Sequence, residues 1–263
     1  MTSSPQTGND VDGGRGAYDN KVVIVTGSSK GIGRAMAIGY AAEGASVVVS
    51  SRDAQRCQPV VDEIRAQGGE AHVITAHMGR PDDVDGLAAA TIAHYGRIDV
   101  VVNNAAVNPH ALSLLDMPDE LTAKLFAANV TGPLRLARLA AIDMIPRGHG
   151  AILNITSHAA VHPEPNLGPY AATKSALTTL SKVMALEWAE YGIRVNAIAP
   201  GPFATVMVDE LFKGTYGDAL IASTAQHRIA SPDEIVGAAL FLTGENASFV
   251  TGAVLAVDGG MVP

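Results

Sequence analysis

The chain has 263 residues, 48% of them hydrophobic, enough to enclose one large core. Its formal net charge of −8 comes without a lysine or arginine cluster, so it lacks the basic footprint of a nucleic-acid binder. No run approaches the roughly 18 apolar residues of a membrane-crossing helix, and Cys57, the sole cysteine, rules out an intrachain disulfide and suits a reducing, cytoplasmic setting.

Residues 1–19 are rich in Gly, Ser and Asp, with no apolar run, so neither a core element nor a secretory signal is expected there. They read as a flexible tail ahead of one domain over 20–263. From Lys21 on, short β-branched runs alternate with helical stretches: "KVVIVTG", a helix to about Glu43, "SVVVSS", a helix to about Gln67, then "HVITAHM". The alternation continues through "DVVVNNA", "AILNITS", "IRVNAIAP" and "AVLAVDGG". Strands apolar on both faces and joined by helices belong in a parallel sheet covered on both sides. The expectation is a doubly wound α/β Rossmann fold with a seven-stranded parallel sheet. Gly44, Gly96 and Gly192 fall where helices need left-handed caps.

The first strand-to-helix turn, "TGSSKGIG", places Gly27, Gly31 and Gly33 where the backbone can approach a pyrophosphate at a helix N-terminus. An ordinary Gly-rich turn shares this spacing, but the position, between the first strand and the first helix, is that of a dinucleotide site. The second strand ends at Ser51 and Arg52, where an NAD site places a carboxylate to hold the ribose 2′-hydroxyl. Asp53 comes slightly late, and Lys30 supplies a second cation, a pairing suited to a 2′-phosphate and hence to NADP, with NAD as the alternative. After the fourth strand, Asn103 and Asn104 lie at the carboxyl edge of the sheet, as turn-makers, ligand contacts or both.

Asn129 lies in a helical stretch whose next turn carries Gly132 and Pro133, an irregularity able to turn a polar group inward. "AILNITS" ends at Ser157, a hydroxyl at the sheet edge that can cap the strand or hold a substrate oxygen. In "NLGPYAATKSAL", Tyr170 and Lys174 are i and i+4 on one helical face, where an ammonium favours the phenolate and lowers its pKa toward the working range. A phenol so tuned can exchange a proton with a carbonyl oxygen. His158 and His162 face either the substrate pocket or solvent, and the histidines show no metal-ligand spacing, so no metal is expected.

Taken in order, "TGSSKGIG", "NNAA", "ITS" and "YAATK", with "PGPFAT" and "VTGAVLAVDGG" further on, resemble the short-chain dehydrogenase/reductase family of the compact type, its carbonyl-reductase-like branch, over residues 20–263. The resemblance implies a catalytic tetrad: Tyr170 as general acid/base, Ser157 holding the substrate oxygen, Lys174 lowering the tyrosine pKa and gripping the nicotinamide ribose, and Asn129 holding a water that relays protons. It also implies cofactor contacts at Gly27, Ser29, Lys30, Gly31, Ile32 and Gly33, at Ser51 and Arg52, at Asn104 and Ala105, and at Pro200, Gly201, Phe203 and Thr205, besides Tyr170 and Lys174.

Two positions depart from the family pattern: His77 replaces the aspartate that often meets adenine, leaving that contact to His77 or the Met78 backbone, and Ala106 replaces a glycine. The segment Phe203–His227 has the place of a lid, with Phe203 and Met207, beside His158, in the substrate pocket. The implied reaction interconverts a ketone and a secondary alcohol with NADP(H). The alternatives are an NAD-dependent hydroxysteroid- or polyol-type dehydrogenase, a 3-oxoacyl-thioester reductase and a non-catalytic dinucleotide-binding regulator. A homotetramer is expected, because "AVLAVDGG" is an apolar edge strand that needs a cover.

Overall fold

The computed structural model describes residues 16–108, 112–205 and 215–261. Seven strands form one sheet: β1 (Val22–Thr26), β2 (Ser46–Ser50), β3 (Glu70–Val73), β4 (Val100–Asn103), β5 (Gly150–Ile155), β6 (Ile193–Pro200) and β7 (Val254–Val257). All pair in parallel in the order β3-β2-β1-β4-β5-β6-β7. The helices are α1 (Gly31–Ala42), α2 (Ala54–Ala66), α3 (Pro81–Tyr95), α4 (Asp119–Phe126), α5 (Gly132–Met144), α6 (Gly168–Trp188), α7 (Thr215–Ala222) and α8 (Val236–Thr243).

The strand period of two divides the core into layers. Val23 and Val25 of β1 face one side, with Val47, Val49, Met36 and Tyr40, while Ile24 faces the other, with Val48, Val101, Leu136 and Leu87. Every β1 residue is therefore buried, which is why its sequence is continuously apolar rather than alternating. The chain leaves β1 toward β2 and later returns to β4 on its other side, so a crevice opens at the carboxyl ends of β1 and β4. Gly44, Gly96 and Gly192 adopt the expected left-handed backbone, with φ of 92°, 79° and 72°.

Two stretches differ from expectation. The third strand covers Glu70–Val73 rather than the run from His72 to Met78. As an edge strand it has a partner on one side only, and beyond it the chain still follows β2, the Ile74 and Ala76 N–H groups donating to the Val49 and Ser51 carbonyls, before the His77 N–H donates to Asp83 Oδ2 at 2.9 Å. In the expected tail, residues 16–19 are described and Tyr18 is packed rather than loose. It is 3% exposed, sits edge-on to Tyr40 with ring centroids 5.1 Å apart, and shares the Thr243 hydroxyl with it.

Candidate active site

The glycine turn forms from tight backbone packing. A Cβ on Gly33 would lie 2.4 Å from both the Gly27 carbonyl oxygen and Asn104 Nδ2, and one on Gly27 would lie 2.8 Å from Ala105 Cα. Asn104 ties the turn to β4 by donating Nδ2 to the Thr26 and Gly27 carbonyls at 2.8 and 3.2 Å. The Asn104 and Ala105 N–H groups both donate to Thr26 Oγ1. The asparagine is thus a turn-maker that also borders the cleft. At the start of α1, Lys30 gives no side-chain cap and the first turn holds no acidic residue, so the positive end of the helix dipole faces the cleft uncompensated.

At the end of β2, Ser51 Oγ lies 3.0 Å from Cys57 Sγ and receives the Asp53 N–H. Asp53 caps α2 by accepting the Gln55 N–H at 2.9 Å and lies 3.3 Å from Arg56 Nε. Lys30 and Arg52 border the cleft with exposed side chains, and among the described residues neither side chain has a hydrogen-bond or ion-pair partner.

Ser157, two residues beyond β5, caps a short 3₁₀ turn by accepting the Ala159 N–H at 3.2 Å. Tyr170, in the first turn of α6, lines the same cleft as Ser157, whose hydroxyl is near enough to lower the phenol's pKa. One turn on, Lys174 is 2% exposed and its Nζ donates to the Ile155 carbonyl at 2.8 Å, lying 5.7 Å from the Tyr170 ring centroid. Burial pulls the Lys174 ammonium down to about 8. Burial also pushes the Tyr170 phenol above its usual 10, with the Ser157 hydroxyl drawing it partway back. This reverses the expected direction for Tyr170. Desolvation of the phenolate is the largest influence, and Lys174 spends its contact on Ile155.

Asn129 sits in a π-helical turn, Ala127–Thr131, immediately before Gly132 and Pro133. The wider turn directs its amide inward at 1% exposure. Oδ1 accepts the Val107 N–H at 2.8 Å, and Nδ2 donates to the Val107 carbonyl at 3.0 Å and to Thr173 Oγ1 at 3.2 Å. Thr173 in turn donates to the Tyr170 carbonyl at 2.7 Å. Both amide hydrogens are committed, so the side chain works as a clamp between the chain after β4 and the helix bearing Tyr170.

Apart from Asn129, which is buried behind its wall and does not line it, these groups surround one cleft of about 380 Å³ at the carboxyl edge of the sheet. Gly27, Ser29, Gly31, Ile32, Gly33, Ser51, Asn104 and Ala105 line one end. Ser157, Tyr170 and Lys174 lie along its wall with Pro200, Gly201, Phe203 and Thr205. His77, Met78 and His158 border it too, whereas Met207 lies outside the described residues. Val107, Glu164, Leu167, Leu220 and Met261 also line it and were not foreseen, since no motif marks them. Met261 arrives through pairing with Thr224. Among the described residues, no three His, Cys, Asp or Glu side chains converge as a metal site requires, and no helix is long and apolar enough to cross a membrane.

A family profile described as enoyl-(acyl carrier protein) reductase matches residues 27–262. Over 247 residues the chain is 39% identical to dehydrogenase/reductase SDR family member 4 of Bos taurus, covering 94% of this chain and 88% of that one. Its fold is similar, with a TM-score of 0.89 and 36% identity, to a 7α-hydroxysteroid dehydrogenase complexed with NADH and 7-oxo glycochenodeoxycholic acid, over 94% and 97% of the two chains. It is likewise similar to a gluconate 5-dehydrogenase from Burkholderia cenocepacia J2315 in complex with NADP and tartrate, at a TM-score of 0.88 and 34% identity over 94% and 97%.

Proposed function

The chain belongs to the short-chain dehydrogenase/reductase family and is an oxidoreductase acting on CH–OH and C=O groups with NAD(P); from that premise we propose that it prefers NADP(H), with Asn129, Ser157, Tyr170 and Lys174 as its working tetrad. The observation that carries the catalytic reading is the convergence of the Ser157 and Tyr170 hydroxyls beside the buried Lys174 ammonium on one cleft wall.

The residues present fit a dinucleotide carrying a 2′-phosphate. Gly27 and Gly33 leave no room for a Cβ and so let the turn pack closely on Asn104 and Ala105, and the uncapped α1 N-terminus suits the charge of phosphate oxygens. Lys30 and Arg52 would hold the 2′-phosphate, and Asp53, engaged as a helix cap, offers it no repulsive lone carboxylate. Gly31, Ile32, Ser29 and Ser51 would line the adenosine end, with Asn104 and Ala105 beneath it and Pro200, Gly201, Phe203 and Thr205 around the nicotinamide.

When bound, the nicotinamide gives or takes a hydride at the substrate carbon. Ser157 donates a hydrogen bond to the substrate oxygen and fixes its position. Tyr170 hands its proton to that oxygen during reduction and accepts it during oxidation. A phenol raised by burial stays protonated at neutral pH, which suits the reductive direction. Lys174 places a positive charge behind the phenol where the phenolate forms, and Asn129 holds Val107 and, through Thr173, the first turn of α6 in register. The water relay through Asn129 would fall to its oxygen, since both amide hydrogens are engaged.

We assign the working form to a cytoplasmic homotetramer built from one domain, supported by the exposed apolar surface at the β7 edge. Tyr170→Phe tests the catalytic reading: turnover of a ketone should fall by about 10²–10⁴ while NADPH binding, read by fluorescence, persists. Undiminished turnover would sink the tetrad.

A further inference from the structure

His158, directly after the Ser157 hydroxyl, lines the cleft and is faced by Asp258, just beyond β7 at the same edge of the sheet. Its Nδ1 faces Asp258 Oδ2 at 3.6 Å, with the two side chains only 12% and 16% exposed. The imidazole also stacks on His162, ring centroids 4.6 Å apart. Asp258 is fixed in turn: its Oδ1 accepts the Gly260 N–H at 3.0 Å, and the strip it belongs to pairs with the segment after α7. In that pairing the Ala225 and Gln226 N–H groups donate to the Gly260 and Gly259 carbonyls at 3.1 Å each.

A carboxylate facing Nδ1 favours the tautomer with its proton on that nitrogen, which leaves Nε2 as a hydrogen-bond acceptor. Among the described residues nothing pairs with Nε2. The molecule therefore positions, beside the hydroxyl proposed to hold the reacting oxygen, an acceptor that the tetrad does not use. We propose that His158, oriented by Asp258, is a specificity-determining residue that accepts a hydrogen bond from a hydroxyl next to the reacting carbon, so that the preferred substrates are hydroxy-ketones and the corresponding vicinal diols. This deepens the oxidoreductase reading and rests on the cleft being the carbonyl site.

Neighbouring side chains sharpen the class. Leu167, Leu220 and Met261 line the same cleft and hydrogen-bond nothing through their side chains, so His158 sets a polar acceptor, next in sequence to Ser157, against an apolar wall, with the Glu164 carboxylate also in the lining. A polar acceptor beside an apolar wall rewards the hydroxylated member of a matched pair, because the unsubstituted ketone leaves the acceptor unpaired.

The test compares kcat/KM with NADPH for 3-hydroxy-2-butanone and 2-butanone in the wild type, His158→Leu and Asp258→Asn. Asparagine at 258 retains an acceptor for the Gly260 N–H while losing the charge that orders the ring. The wild type should favour the hydroxy-ketone by about tenfold. His158→Leu should abolish that preference, chiefly by raising KM for the hydroxy-ketone, and Asp258→Asn should fall between. An unchanged preference in His158→Leu, an equal loss on both ketones, or a wild type that fails to favour the hydroxy-ketone overturns the proposal. The NADPH-induced rise in melting temperature, measured on the same proteins, reports the cofactor site alone and separates failure of this inference from failure of the cofactor reading.

Discussion

Lys174 Nζ donates to the carbonyl oxygen of Ile155, the last residue of β5, across 2.8 Å. The ammonium is thereby anchored beneath the Ser157 turn, in an environment that draws its pKa from 10.5 to about 8. Between those values the unfolded chain binds more protons at this position than the folded one, so folding stability gains as pH rises through the window and the burial cost is fully present below it. Raising pH from 7.5 to 10 should stabilise the wild type relative to Lys174→Met by about 2 kcal/mol, the upper figure for a shift of that size. Urea unfolding of both proteins at the two pH values measures it. A difference independent of pH would mean that the lysine is not desolvated.

Asn129 makes three side-chain hydrogen bonds from a buried position, two of them to Val107. Removing the amide leaves the Val107 N–H without this partner and frees the first turn of α6 from one of its ties. Asn129→Ala should cost about 2–3 kcal/mol of stability and lower kcat more than cofactor affinity. Asn129→Asp, which keeps the acceptor and loses the donors, should be intermediate. Wild-type stability in the alanine variant would contradict the clamp.

How much of this was legible follows from particular residues. "KVVIVTG" and "DVVVNNA" announced central strands because both of their faces are buried, whereas "HVITAHM" misled because β3, at the sheet edge, has a partner on one side only and its regular pairing ends at Val73. The inward turn of Asn129 was readable from Gly132 and Pro133, which disfavour regular α-helix. Tyr18 was misread because its Gly- and Asp-rich neighbours hide one anchoring aromatic ring. The pKa direction of Tyr170 was missed because helical spacing gives the Lys174 neighbour but not the desolvation around it. The His158–Asp258 contact joins residues from distant loops, and only the strand order brings the ends of β5 and β7 to the same edge.

Assembly carries its own test. β7 is an edge strand, and Phe249 is fully exposed beside it, with Leu255 37% and Phe241 46% exposed. Apolar surface of this kind on an unpaired edge invites a second copy across a two-fold axis. Light scattering at micromolar concentration should give four times the chain mass, and Leu255→Glu with Phe249→Glu should lower it while the folded circular dichroism persists. A monomeric wild type would remove the argument.

We propose that the strand end at Arg52 sets the choice between the two nicotinamide cofactors. Arg52 and Lys30 border the cleft without protein partners among the described residues, while Asp53, the nearest carboxylate, accepts the Gln55 N–H and lies against Arg56. For Asp53 to serve a ribose 2′-hydroxyl instead, it would have to leave the α2 cap, at about 1 kcal/mol. Two unpaired cations, by contrast, need only reach a phosphate, and the guanidinium fork can bind two of its oxygens at once. On one ketone, kcat/KM should therefore be higher with NADPH than with NADH, and Arg52→Asp should erode the ratio by about 1–3 kcal/mol, roughly 5- to 150-fold. Because both residues are surface groups, the ratio should also shrink as salt is raised from 50 to 500 mM. A preference for NADH, or a ratio that ignores both the substitution and the salt, would show that the 2′ position is read elsewhere.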